Sequence, residues 1–289
     1  MIRNDIAAII FIILAPIIGG LISGIDGTIS SRMKGIGHVS LIQPFLDFFK
    51  LLSKKSDIKA LEKAPYMAGH LLFSIGALVM LALRQDFFLI VLMSELSWIF
   101  LLMYGFNSTN IFTRTAAKRG LFAIIACFPV MLLLGSAIYL ITKNGFTVQD
   151  IIYYPANLLN QLPLVFVSIV AVTMIRQGKA PFDSSITDAP DRMDMSGGLI
   201  GELGGINLAI VQITRWINIS ILYAVIILFV LRPLWAGLLI ALIVLITQTL
   251  IENILPRMRY NFLYKIMPLA LFGIAMINIL WIALKNYNM

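Results

Sequence analysis

Four ionisable residues fall inside or against otherwise apolar runs of this chain. Glu95 sits midway along one run, Glu202 stands at the head of another that also contains Arg215, and Glu252 lies near the end of a third. Inserting a charge at the centre of a bilayer costs about 2.5–3.5 kcal/mol even on the mildest scales, so such groups normally face a polar interior and mark ion or proton paths. In a low dielectric a carboxyl resists ionisation, which suits it to exchanging protons. Polar glue between helices, with Arg215 paired to a carboxylate, is the competing reading. Just ahead of Glu202 lie Asp183, Asp188, Asp191 and Asp194, a solvated acidic loop or the entry to an H+ or Na+ relay.

The elements that must position these groups are membrane helices. Hydrophobic residues make up 60% of the 289 residues and charged ones 12%, with a mean hydropathy of +0.94. That is too few charges to coat a soluble globule of this size. A membrane barrel would show alternating segments of roughly 10 residues, whereas these runs are continuous. Runs near the ~20 residues that cross a ~30 Å hydrocarbon core occur at 6–25, 65–83, 87–106, 120–141, 162–175, 206–231, 234–254 and 266–284. The fold class is therefore all-α, a single polytopic domain over 1–289 with about eight transmembrane helices, the fifth being the weakest. The first run lacks a small-residue cleavage site and is expected to remain as a helix. Between the first two runs, residues 41–55 carry Asp47, Lys50 and Lys54 among apolar residues at helical spacing. This predicts an amphipathic helix lying in the membrane interface.

The basic residues set the expected orientation. Sixteen of the 22 Lys and Arg fall in alternate loops, among them Arg32, Lys34, Lys50, Lys54, Lys55, Arg257 and Arg259. Cytoplasmic loops retain such residues, so both termini are expected outside. Topology and anionic lipid headgroups account for the net charge of +8 without a nucleic-acid partner. The two long connections, 26–64 and 176–205, lie on the same side and suit a docking face for a partner. One Cys and two His, Cys127, His38 and His70, cannot furnish an iron–sulfur, zinc or paired-haem ligand set. Any redox chemistry served by the chain takes place elsewhere.

Three motifs occur in order on that basic side. They are Gln43-Pro44 with Asp47 and Lys50-Leu51, Ala180-Pro181-Phe182-Asp183 followed by acidic residues and Glu202, and Pro256-Arg257-Met258-Arg259-Tyr260. Together they resemble the membrane subunit that adjoins the peripheral arm in respiratory complex I and in the energy-converting (group 4) membrane-bound hydrogenases and their relatives. The resemblance implies an anchor and coupling subunit without catalysis of its own. Its partners would be hydrophilic redox subunits of the hydrogenase large and small kind and antiporter-like membrane subunits. Iron–sulfur clusters, and a NiFe centre in a hydrogenase, would reside in those partners, with ferredoxin as donor. A quinone enters only if the complex is of the quinone-reducing type. The ion path would run through Asp183, Asp188, Asp191, Glu202, Arg215, Glu95 and Glu252, and docking through the basic residues above with Gln43 and Asp47. Two departures stand out: Arg32-Met-Lys-Gly-Ile-Gly-His-Val-Ser40 replaces a Gly-Pro-ended stretch, and Phe128 precedes Pro129 where many members carry glutamate. The short chain is closer to the hydrogenase-like side. A stand-alone secondary transporter remains the alternative of a different class, although no internal repeat supports it.

Overall fold

The computed structural model describes residues 2–35, 37, 39–54, 60–142, 145–181, 198–256, 258 and 267–287. Among them the regular structure is helical, apart from an isolated antiparallel bridge between Asp86 and Thr147. In chain order the helices are α1 (Ile2–Met33), α2 (Gln43–Ser53), α3 (Ala60–Ala82), α4 (Phe87–Asn107), α5 (Ile111–Thr142), α6 (Val148–Tyr153), α7 (Leu158–Gln161), α8 (Pro163–Gln177), α9 (Gly205–Leu228), α10 (Leu234–Ile254) and α11 (Met267–Tyr287). Seven of them, α1, α3, α4, α5, α9, α10 and α11, are long and apolar enough to cross a membrane. The chain is a multi-pass membrane protein.

The fifth expected span is shorter than the rest. At 15 residues, α8 is about 22 Å long, well under a ~30 Å hydrocarbon core. Both of its ends are set by sequence. Pro163 opens it, where a missing N–H costs nothing. Gly178 closes it in the left-handed region (φ 66°), with its N–H donating to the Ile175 carbonyl and that of Lys179 to the Met174 carbonyl. This is a Schellman termination, which needs glycine at that φ. Conversely, α1 and α5 run past the apolar windows, through Arg32 and from Ile111. Nothing in Ser30-Ser31-Arg32 or Thr113-Arg114-Thr115 breaks a helix, so apolarity and helicity end at different places.

The post of the bundle is α9, the most enclosed span, with 61% of its apolar window buried. It packs against α1, α3, α10, α8 and α2. Small residues permit the closest crossings, as between membrane helices generally: a β-carbon on Gly19 would collide with the backbone carbonyl of Trp216, and one on Gly24 with that of Leu41. The expected amphipathic helix forms as α2 and lies on α9, with Phe45 and Phe48 against the Trp216 indole at centroid distances of 5.0 and 5.5 Å. Leu46, Phe49 and the Lys50 and Lys54 side chains face outward. On the other flank α11 packs on α5 and α8. One continuous core there joins Phe87, Leu134, Ile169, Phe229 and Ala275. The outer face of α1 leaves Ile6, Ile9, Ile10 and Ile13 open, a surface that only lipid or another membrane helix can cover.

Candidate functional site

The short α8 delivers two cations into the bundle. Arg176, on its last turn, forms an ion pair with Glu95 of α4, and both side chains are under a tenth exposed. Three residues on, past the Gly178 cap, Lys179 is also buried. Its Nζ lies 2.7 Å from Asp26 Oδ1 of α1 and 4.0 Å from Glu252 Oε2 of α10. Asp26 also accepts a hydrogen bond from Thr249 of α10. One four-residue stretch thus ties three carboxylates on three different helices. Glu95 lies 12 residues before the end of α4, roughly 18 Å along the axis, so this pairing occurs deep in the bundle. The other oxygen of Glu95, Oε2, is buried with no hydrogen-bond partner among the described residues.

A polar ladder extends from this cluster between α8, α9 and α10. Gln248 donates through Nε2 to Thr173 Oγ1 and the Val170 carbonyl, and its Oε1 accepts from the Tyr223 hydroxyl at 3.0 Å. Gln248 and Thr173 are wholly buried. Buried polar side chains at this depth persist only when hydrogen-bonded, and here each holds the next.

Glu202 occupies a different position from the one its sequence suggests. It lies in the turn before α9 rather than on the helix, and it is half-buried. Its Oε2 accepts from Ser108 Oγ at 2.6 Å, and its backbone carbonyl accepts from Lys63 Nζ at 2.5 Å. The Arg114 Nε donates to the Ser108 carbonyl at 2.6 Å, so one cation bonds the backbone of each member of the Glu202–Ser108 pair. Arg215 is half-buried on α9 beside Trp216.

Most of the described residues expected to dock a partner lie on the surface. Arg32, Lys34, Gln43, Lys50 and Lys54 are exposed, and Asp47 is half-buried and accepts from Gln43 Nε2 at 3.0 Å. Lys55, Arg257, Arg259, Asp183, Asp188 and Asp191 lie outside the described residues. Two corrections follow for Arg176 and Lys179, counted in the sequence as loop cations: both are buried in ion pairs. Sequence reasoning also passed over Asp26, because it falls one residue beyond the first apolar window. The unbroken helical character of the following residues was the available signal.

Paired charges thus lie inside a bundle of membrane-length helices, brought together by a helix that stops short. The chain belongs to the NADH dehydrogenase family, of the complex I membrane-subunit type: the family's model matches residues 5–283. No curated protein matches it in sequence. Among solved structures it shares its fold with a chain of the membrane-bound sulfane sulfur reductase, an archaeal respiratory membrane complex. That match has a TM-score of 0.84 and 21% identity, covering 97% of this chain and 99% of that one.

Proposed function

We propose that this chain is the membrane anchor and energy-coupling subunit of a redox-driven ion-pumping complex of the ferredoxin-dependent membrane-bound hydrogenase or related reductase type. It docks a hydrophilic redox module on its basic face, adjoins antiporter-like subunits in the membrane, and links electron transfer to H+ or Na+ movement. Residues 176–179 carry this reading. They bind Glu95, Asp26 and Glu252 at once, and the chain continues through Pro181 directly into the connection that bears Asp183, Asp188 and Asp191. A docked partner that shifts this connection would strain two buried ion pairs together, and a site with two discrete arrangements is what converts a distant event into ion movement. Iron–sulfur clusters and any NiFe centre would belong to the partners. The complex sits in the cytoplasmic membrane with both termini outside.

The family's description favours a second reading, the quinone-site subunit of a complex I-type reductase. Inhibition by quinone-site ligands, or quinone in the purified complex, would select it. Identifying the subunits that copurify with a tagged chain tests the main reading: hydrophilic redox subunits are expected, and a chain that purifies alone and transports unaided would overturn it. Reversing charge in Lys50→Glu/Lys54→Glu should release the soluble module at moderate salt while leaving the helices inserted, because rim charges govern association more than folding. Unchanged assembly would remove α2 from the docking face.

Glu202, whose carboxylate accepts from Ser108 and whose backbone carbonyl accepts from Lys63, is the entry carboxylate of the path. Glu202→Gln retains size and hydrogen bonding and removes only the titratable group. Redox-driven ion uptake in inverted vesicles should fall on the order of tenfold with the complex still assembled, and Glu202→Asp should be milder. Normal uptake at normal turnover would leave Glu202 a packing residue, since interhelical glue survives the exchange to Gln.

A further inference from the structure

A second polar chain lies at mid-bundle, apart from the ion pairs. His70 on α3, Ser97 on α4, Ser74 on α3 and Asn218 on α9 are all buried, the two serines completely. Each lies close to the middle of its helix. The His70 Nδ1 is 2.9 Å from the Ser97 carbonyl and 2.8 Å from Ser97 Oγ; Ser97 Oγ is 2.7 Å from Ser74 Oγ; and Ser74 Oγ donates to Asn218 Oδ1 at 3.1 Å. Ser97 Oγ also reaches the His70 carbonyl at 2.7 Å. A carbonyl only accepts, so the Ser97 contact assigns the proton to Nδ1 and leaves Nε2 as the basic nitrogen of the neutral ring.

This arrangement exceeds what helix association needs. Serine and asparagine alone supply interhelical hydrogen bonds, whereas an imidazole adds a group that binds and releases a proton, and it stands at one end of a row of two hydroxyls. A second observation points the same way. The Asn218 Nδ2 is buried without a hydrogen-bond partner among the described residues, and an amide donor at such depth calls for a water molecule. The titratable or charged groups on the helices packed against α3 are Glu95 and Tyr104 on α4, Arg215 and Tyr223 on α9, and Arg3, Asp5, Asp26 and Arg32 on α1, with Lys63, Glu62 and Tyr66 on α3 itself.

We infer that His70, Ser97, Ser74 and Asn218 form a proton relay across the α3–α4–α9 seam, with His70 as its proton-binding member. The inference rests on the proposed coupling role. A proton arriving at Nε2 makes the imidazolium. Nδ1 then passes its proton to Ser97 Oγ as the Ser97 hydroxyl turns from the His70 carbonyl to deliver its own proton to Ser74 Oγ, and the Ser74 hydroxyl turns from Asn218 Oδ1 to deliver its proton to water at Asn218 Nδ2. One proton enters, one leaves, and the ring is neutral again with its proton on Nε2.

The test uses the whole complex in inverted vesicles and reads ions taken up per electron transferred, with the pH profile of uptake. His70→Asn keeps a donor for the Ser97 carbonyl and removes the titratable ring; Ser74→Ala interrupts the line without touching the imidazole. Both should preserve electron transfer and lower the ion-to-electron ratio on the order of tenfold, and His70→Asn should flatten the pH profile. A normal ratio in either assembled variant overturns the relay. Failure of both to assemble assigns the cluster to packing and overturns it as well. If His70→Asn alone fails to assemble, Ser74→Ala decides. Absence of uptake in the wild-type complex would instead refute the coupling role.

Discussion

Replacing Arg176 by Met while Glu95 stays in place will cost about 3–5 kcal/mol of stability, the toll of leaving one member of a buried ion pair uncompensated. The side chains are 8% and 7% exposed, so solvent cannot screen the orphaned carboxylate. Thermal unfolding of the purified complex in detergent measures the loss, which should appear as a markedly lower melting temperature and poor accumulation in membranes. The decisive comparison is the double variant Glu95→Gln/Arg176→Met. Its charge is balanced, and replacing both members of a buried pair is often nearly neutral, so it should recover most of the loss. A double variant as unstable as Arg176→Met alone would show that the guanidinium matters for packing rather than for the charge of Glu95.

Replacing Lys179 by Met will have a different signature. Lys179 stands between Asp26 and Glu252. The Asp26 side chain is a quarter exposed, so water screens part of what the ammonium now balances, and the stability loss should be smaller than at Arg176. The functional loss should be larger, because the tie between α1, α10 and the connection after α8 is gone. Redox-driven ion uptake is expected to fall on the order of a hundredfold while electron transfer in the docked module continues. Asp26→Asn, which leaves Glu252 to hold the lysine, should be intermediate. Normal uptake by Lys179→Met at normal electron flux would remove the 176–179 stretch from the coupling path.

The contrast between these two cations turns on the Schellman end of α8. Had the helix continued for two more turns to membrane length, Lys179 would lie only about 60° around the axis from Arg176 rather than turning back, and the two side chains would not reach opposite groups of helices. Gly178 in the left-handed region makes the reversal possible. The stability of one pair and the ion path through the other therefore share a backbone device only a few residues long.

Composition and the spacing of apolar runs determined, without coordinates, that this is a helical membrane protein, where most of its spans lie and that an amphipathic helix follows the first. These properties depend on local sequence and on lipid as solvent, which imposes the same demand on every span. Motif order likewise disclosed the family, and charge at membrane depth singled out Glu95 and Glu252. Which cation meets which carboxylate was not legible, because Glu95 and Arg176 are 81 positions apart and Asp26 and Lys179 are 153 apart. Such pairings are set by how α1, α4, α8 and α10 come together in the bundle, with Gly19 admitting α1 close against the backbone of α9. The sequence placed Arg176 and Lys179 in a loop because apolarity fades there, and only the packing of a helix too short to span brought them inside. His70 escaped notice for a related reason: a lone histidine in an apolar run carries no pattern, and its meaning arises only when α4 and α9 bring Ser97 and Asn218 into line with it.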